Sequence, residues 1–265
     1  MTYFFKISIL IAALLSPATL VSSELKVPNK LIAKRSMFTG RYAHYDIVAY
    51  AERIGFIDMK TFVISYGLTD LVMKNGVLKS IDRFCFSEHL SNLPFTTLVN
   101  DEFTRAIIPK AVSMEVWEEN GKIKLYRPRT PTALGTSLSD LENEKLPTSS
   151  SDPRLIDADN DGKPAVTVNI KLYNKFDAEL YITRKEVFEY YMTVEEDLSI
   201  KGTVIDNSEQ SIVGAKPSFL KSQRNPRQNP DLKLSPIILK PVAADYSCDE
   251  LKNDRAQLFP KNPKI

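Results

Sequence analysis

The residues best suited to chemistry in this 265-residue chain lie in one acidic loop. Aspartates stand at positions 157, 159 and 161, and Gly162 follows the third of them. Alternating carboxylates followed by a glycine are how many loops coordinate a hard cation such as Ca²⁺, because glycine allows the sharp turn that gathers the oxygens. The backbone carbonyl of Lys163 occupies the seventh position, where calcium loops supply a main-chain ligand. The sequence therefore predicts a Ca²⁺ site made by Asp157, Asp159, Asp161 and Lys163.

The rest of this loop departs from the EF-hand pattern. Pro164 lacks the backbone N–H that paired EF-hand loops use at the eighth position. Ala165 occupies the ninth position, and Val168 stands at the twelfth, where a bidentate Glu is expected. A weaker site of roughly 10⁻⁴ to 10⁻³ M affinity remains, completed by water and by Asp152 or a distant acid. The alternative is an ordinary tight turn, which Asp, Asn and Gly also favour.

The residues around the acidic loop resemble a block in a group of exported bacterial proteins of uncharacterised function. In this chain the block comprises Leu146-Pro147, Asp152-Pro153-Arg154, the loop from Asp157 to Pro164, and Val166-Thr167-Val168. Members of the group more often carry glycine where this chain has Asn160 and Ala165, and the late Cys248 is also similar. The resemblance implies an exported bacterial β protein and no particular activity.

The N-terminus has the pattern of an export signal over residues 1–23. Lys6 precedes a short apolar stretch, and small residues before Glu24 suit cleavage after Ser23. The stretch is shorter than the ~20 residues that a membrane span needs, and no later segment is long and apolar enough. We therefore expect an exported protein, periplasmic or extracellular, whose mature chain has no transmembrane segment.

Charge and cysteine content narrow the class of protein further. The chain has 35 basic and 33 acidic residues, so it lacks the basic excess that nucleic-acid binding requires. Cys85 and Cys248 are the only cysteines, and an oxidising compartment predicts a disulfide between them. The alternative is a reactive Cys85 activated by His89, which needs a free Cys248 and a helix. The strand-like alternation around Cys85 disfavours that alternative.

The hydrophobic pattern predicts mainly β structure. Asn75-Gly76 and Asn120-Gly121 are typical of two-residue hairpin turns, because both central residues need positive φ. Residues 166–173 alternate strictly between apolar and polar, as expected of an antiparallel strand covered on one side. Segments 178–184, 187–194, 198–205 and 211–215 follow at close spacing, which favours an up-and-down meander.

We therefore predict an all-β, antiparallel fold of about nine to eleven strands, closed as a barrel (a lipocalin-like closure) or folded into a sandwich. Residues 24–36 form a loose lead-in, and residues 37–265 form a single domain with long surface loops at 127–151 and 216–231. One short helix is expected after Asn100, ending before Pro109. The late segment 232–242 contains two prolines, which places it on a sheet edge.

No other segment has the spacing of a catalytic motif. His44 and His89 have no partner at motif spacing, so structural roles are expected for both. The aromatic run at 188–191 is expected to pack across a sheet rather than line a cavity. The favoured hypothesis is a non-enzymatic exported barrel-like protein that binds a small ligand or a cell-envelope component. The alternative is a secreted hydrolase or carbohydrate-active enzyme whose carboxylates the sequence does not identify.

Overall fold

The computed structural model describes residues 35–54, 56–172, 176–222 and 226–264. The predicted signal peptide and residues 24–34 of the lead-in lie outside this part of the chain. Within the described residues there are thirteen strands, two α helices and two short 3₁₀ helices. The strands are β1 (Gly40–Ile54), β2 (Ile57–Lys74), β3 (Val77–Ser91), β4 (Phe95–Leu98), β5 (Ala111–Ser113), β6 (Glu115–Glu119), β7 (Lys122–Leu134), β8 (Val166–Leu172), β9 (Phe176–Val194), β10 (Ile200–Asp206), β11 (Glu209–Lys216), β12 (Arg227–Gln228) and β13 (Pro236–Val242). The α helices are α1 (Asp101–Arg105) and α2 (Cys248–Leu258), and the 3₁₀ turns are Ser218–Leu220 and Leu232–Leu234.

The strands form one strongly curled, barrel-like antiparallel sheet. β1 pairs with β2, β2 with β3, and β3 with β5. After β5 the chain continues into β6. β6 pairs with β7, and β7 in turn pairs with β9. β9 pairs with β10, β10 with β13, and β13 returns to β1. The order around the curl follows the order along the chain, so the all-β, antiparallel and up-and-down predictions are confirmed.

The 19-residue strand β9 is paired along both edges and organises the second half of the domain. Its first half pairs with β8 and β11, and its second half pairs with β7 and β10. The prediction of two separate strands at 178–184 and 187–194 was therefore wrong. Lys185 and Glu186 between them carry no turn signal, and both side chains are buried.

Two predictions about the irregular segments are corrected by the strand bounds. Residues 127–134 belong to β7 and not to a surface loop. Their prolines had suggested a loop, but Pro128 lies in a register shift between Arg127 and Thr130, and a bulge tolerates proline. In the predicted loop 216–231, Lys216 ends β11, and the two-residue β12 pairs with β1.

Strand β13 is not an edge strand as predicted, because it lies between β1 and β10. Pro236 is its first residue. Pro241 lies beyond the residues that pair with β10, so the missing N–H has no ladder to interrupt on that side. Both prolines are thus accommodated within a central strand.

The predicted short helix is confirmed as α1, with the Asn100 side chain accepting a 2.7 Å hydrogen bond from the Phe103 N–H. A second helix, α2, was not predicted. Ser247 and Glu250 form a capping box at its start, and Leu251 is fully buried against the outer face of the sheet. Because α2 covers the outer face of the sheet, alternate residues of β1 are buried on opposite faces: some lie inside the curl and the others lie under α2.

The inner core is built mainly from β1, β2, β3, β6, β7, β9, β10 and β13. It contains Phe38, Tyr42, Val48, Tyr50, Leu71, Leu78, Met114, Val116, Leu125, Tyr190, Met192, Ile200, Val204, Ile237 and Leu239. Because these side chains contact one another across the curl, they fill the interior. The outer core lies between α2 and the first three strands, where Tyr45 stacks on Phe259 with ring centroids 5.1 Å apart.

The predicted disulfide between Cys85 and Cys248 is confirmed. It joins β3 to the first residue of α2, across 163 residues of sequence. The alternative of a reactive Cys85 beside His89 was therefore wrong, because the sulfur is already bonded. A crosslink over so long a loop restricts the unfolded chain strongly.

Replacing both cysteines with serine should lower the free energy of unfolding by about 2–4 kcal/mol, since the unfolded chain regains the entropy of the long loop. Urea denaturation of the Cys85→Ser, Cys248→Ser variant against the wild type measures this. The wild type under reducing conditions is the matched control and should lose the same amount. Equal unfolding midpoints for all three samples would contradict the expectation.

Candidate functional site

The structure brings together the three aspartates that the sequence predicted as metal ligands. One carboxylate oxygen from each of Asp157, Asp159 and Asp161 lies within 4.8 Å of the other two. The loop follows the bridge between Thr136 and Leu155 and leads directly into β8. Asp157 and Asp161 are exposed, whereas Asp159 is buried. The cluster thus has one inner and two outer carboxylates.

Short-range hydrogen bonds hold the shape of this loop. The carboxylate of Asp157 accepts from the N–H groups of Asp161 (3.1 Å) and Gly162 (2.9 Å). Asn160 and Gly162 both have positive φ, at 56° and 80°. Asn and Gly are the residue types that adopt this conformation most readily, so the local sequence explains the turn.

Asp159 is the unusual member of the cluster. Its side chain is buried, with the residue 4% exposed, and its Oδ2 accepts a 3.0 Å hydrogen bond from the Thr167 N–H. Its Oδ1, called here the open oxygen, has no hydrogen-bond partner among the described residues. Burial raises the pKa of Asp159, and the charges of Asp161 and Asp157 act in the same direction. A buried carboxylate oxygen without a partner is costly unless a cation approaches it.

Lys163 connects the cluster to the neighbouring strand. Its ammonium group lies 3.0 Å from Glu179 Oε1 and 3.4 Å from Asp161 Oδ2. Glu179 belongs to β9 and also accepts a 2.7 Å hydrogen bond from the Tyr181 hydroxyl. Sequence reasoning named no acid from β9, because only the pairing of β8 with β9 brings Glu179 near the loop. The main-chain carbonyl of Lys163 stays a predicted ligand.

Asp152, which the sequence offered as an additional ligand, is engaged elsewhere. Its two carboxylate oxygens accept from Arg154 Nε at 3.0 Å and Nη2 at 2.8 Å. Hydrogen bonds from Arg154 lower the pKa of Asp152 to about 2. Asp152 therefore shapes the segment before the acidic loop rather than joining the cluster.

A second group of polar side chains lies buried inside the curl, on four different strands. His44 Nε2 lies 2.7 Å from Asp46 Oδ2, and His44 Nδ1 lies 2.8 Å from the Thr69 hydroxyl. Thr69 donates to Asp82 Oδ1 at 2.8 Å, and Arg127 Nε lies 2.8 Å from Asp82 Oδ2. The guanidinium of Arg127 also lies over a tyrosine ring of β9, 4.9 Å from its centroid.

The protons of this network follow from its geometry. Burial alone would raise the pKa of Asp82, but the charges of Arg127 and His44 and two hydroxyl hydrogen bonds hold that pKa below its ordinary value. Asp82 is thus ionised, and Thr69 must donate to it. His44 Nδ1–H then donates to Thr69, and His44 Nε2 lies within hydrogen-bond distance of Asp46.

Further along β9, Arg184 and Glu186 form a bidentate pair, with contacts of 2.6 and 3.1 Å. Nearby, the Tyr50 hydroxyl donates to Asp206 Oδ2. Burial lowers the pKa of His89 to about 4, and the charge of Arg184 acts in the same direction. Arg184, Glu186, Tyr50 and Asp206 are thus all engaged with one another, which indicates structural roles for them.

The chain matches no protein-family model, no curated protein and no solved structure. Among the described residues, no helix is long and apolar enough to cross a membrane. The similarity of residues 146–168 to a group of exported bacterial proteins therefore stays a prediction.

Changing Asp82→Asn should lower the free energy of unfolding by about 3–5 kcal/mol, because it leaves the buried charge of Arg127 unpaired. The amide oxygen can still accept from Thr69, so the change tests the charge and not the hydrogen bond. Urea denaturation gives the value. Adding Arg127→Met should recover part of the loss, and a double variant less stable than Asp82→Asn would contradict this account.

The wild type should lose stability as the pH falls from about 6.5 to about 4. His89 takes up a proton near pH 6.5 when unfolded but only near pH 4 when folded, so protons favour the unfolded chain in that window. His89→Gln should show a shallower dependence of the unfolding free energy on pH. Its stability at pH 8 provides the baseline, and an unchanged slope would show that His89 titrates normally.

Proposed function

We propose that this chain is an exported, non-enzymatic, barrel-like protein that binds Ca²⁺ at the acidic loop and a small ligand or cell-envelope component elsewhere. The observation that carries the calcium proposal is the open oxygen of Asp159, a buried oxygen of a carboxylate that clusters with those of Asp157 and Asp161. A divalent cation would supply the partner that this oxygen lacks and would offset the repulsion between the three charges.

The chemistry of the cluster favours calcium over softer metals. Its three side-chain ligands are carboxylates, and Ca²⁺ binds six to eight oxygen atoms in flexible geometry. Asp157 and Asp161 are exposed, which leaves room for water molecules to complete the coordination. Zinc and copper sites would instead draw on histidine or cysteine ligands.

The role we assign to the ion is to fix the loop against the sheet. Asp159 is tied to Thr167 in β8, and the Ala158 N–H donates to the Ala165 carbonyl at 3.2 Å. Ala158 also packs against the core beneath β8 and β9. An ion held by the three aspartates would therefore stiffen the segment that leads into β8.

The packed interior favours a structural role for the buried acids over the hydrolase alternative. A carboxylate-dependent hydrolase needs two acids facing a substrate across an open cleft. Here Asp82 is paired with Arg127, and Glu186 with Arg184, inside a curl that apolar side chains fill. The disulfide supports the export proposal, because such bonds persist in oxidising compartments.

Calcium at about 10 mM should raise the melting temperature of the wild type by a few degrees. For a dissociation constant near 1 mM, mass action contributes about 1.4 kcal/mol. The Asp159→Ala, Asp161→Ala variant should show no such rise. Thermal unfolding followed by circular dichroism, in CaCl₂, in MgCl₂ and in EDTA, gives the comparison. An identical rise in both proteins would remove the metal site from the proposal.

Asp159→Asn should be more stable than the wild type in EDTA and should not respond to calcium. The substitution removes a buried charge next to two other carboxylates and keeps an oxygen that can accept from the Thr167 N–H. Asp157→Asn is the comparison, because it removes a carboxylate charge from the same cluster, but its amide can accept only one of the two N–H hydrogen bonds that hold the loop, so it should show no gain in EDTA. If Asp159→Asn were less stable in EDTA, the open oxygen would not be a source of strain.

A further inference from the structure

We propose that Glu179 of β9 supplies the closing carboxylate of the calcium site, and that the ammonium group of Lys163 occupies this position when calcium is absent. This inference rests on the proposed calcium binding. The loop lacks the acid that calcium loops carry at the twelfth position, since Val168 stands there and faces the core. The missing ligand must therefore come from outside the loop.

Glu179 is suited to this role by its position. One ammonium group contacts both Glu179 Oε1, at 3.0 Å, and Asp161 Oδ2, at 3.4 Å. Glu179 lies outside the cluster of three carboxylates when Lys163 is bound to it, so Ca²⁺, with oxygen distances of 2.3–2.6 Å, would have to draw the Glu179 side chain towards Asp161. A cation already bridges the two groups, and Ca²⁺ would replace it with a doubly charged one.

The hairpin of β8 and β9 holds both halves of the site in register. Thr167, whose N–H binds Asp159, is paired with Tyr181 on the neighbouring strand. The Tyr181 hydroxyl in turn donates to Glu179 Oε2. Asp159 and Glu179 are thus both tied to the same pair of residues in the sheet, although twenty positions in the sequence separate them.

Glu179 is also accessible to solvent. Its side chain is 24% exposed and lines an open depression of about 420 Å³ between β4, β8 and β9. Water can therefore reach the fourth carboxylate and fill the remaining coordination positions. Val168, by contrast, is buried beneath the sheet.

Lys163 then acts as a competitor for calcium. Its single charge neutralises part of the cluster when the site has no ion, and it must leave Asp161 and Glu179 when Ca²⁺ binds. This competition limits the affinity of the site. Removing the ammonium group should therefore strengthen calcium binding, provided that the carboxylates stay in place.

The test is a cycle of four proteins: wild type, Lys163→Met, Glu179→Gln and the double variant, each titrated with CaCl₂ by calorimetry. We expect Lys163→Met to bind calcium more tightly than the wild type. Glu179→Gln should weaken binding about tenfold, which is the size of effect expected from losing one carboxylate ligand. The double variant should bind about tenfold more weakly than Lys163→Met.

The double variant distinguishes direct ligation from an effect through Lys163. If Glu179 acts only by holding the lysine, Glu179→Gln will have no effect once Lys163 is methionine, and the inference is overturned. Asp177→Asn is the matched control, because it removes a carboxylate beside the same depression and should leave affinity within about twofold. Circular dichroism of each variant confirms folding, since Tyr181 can still donate to the glutamine carbonyl.

The outcome also separates this inference from the calcium proposal itself. If the wild type binds calcium and Glu179→Gln binds it with the same affinity, the three-aspartate site stands and the role of Glu179 is overturned. An absence of binding in both the wild type and Lys163→Met would overturn both proposals together.

Discussion

The pairing of β9 on both edges is the interaction on which the rest of the structure depends. Four strands hydrogen-bond to it, two on each side, and no other strand has so many partners among the described residues. Its inner face carries Tyr190 and Met192 into the main core, together with the pair of Arg184 and Glu186. Its outer face carries Glu179 to the acidic loop. One face of β9 thus packs in the interior, and the other face contributes to the candidate metal site.

Charged side chains are buried inside the curled sheet because each of them has a partner there. Each ionised group inside it contacts a group of opposite charge or a set of hydrogen-bond donors, as the pair of Asp82 and Arg127 illustrates. Such pairs contribute little net stability compared with apolar packing, but breaking one is costly. Their geometry also fixes which strands can be neighbours, because His44, Thr69 and Asp82 meet only when β1, β2 and β3 are in register.

Features set by a few adjacent residues were predictable from the sequence. The hairpin turns at Asn75-Gly76 and Asn120-Gly121 are present with positive φ at all four residues, and the helix capped by Asn100 is present too. Features that depend on distant pairing were not predictable. Glu179 lies near the acidic loop only because of the register between β8 and β9. The few apolar residues of α2 do not predict a helix by themselves, and they are buried only because the helix packs on the sheet.

The three aspartates illustrate both cases. Their spacing predicted that they would cluster, because a tight turn is a local property. The burial of Asp159 was not predictable, since it depends on how the loop lies on β8. The same limitation applies to β13, whose two prolines indicated an edge although strands flank it on both sides.

The position of β13 has a consequence for how the polypeptide matures. One edge of β1 has no long neighbour until residues 236–242 have been synthesised, and the partner of Cys85 emerges later still. Contacts between such distant positions form slowly, because a large loop must first be closed. The pairing of β1 on this edge and the covalent link between β3 and α2 can therefore form only after residue 248 has been made, so the domain closes late in synthesis.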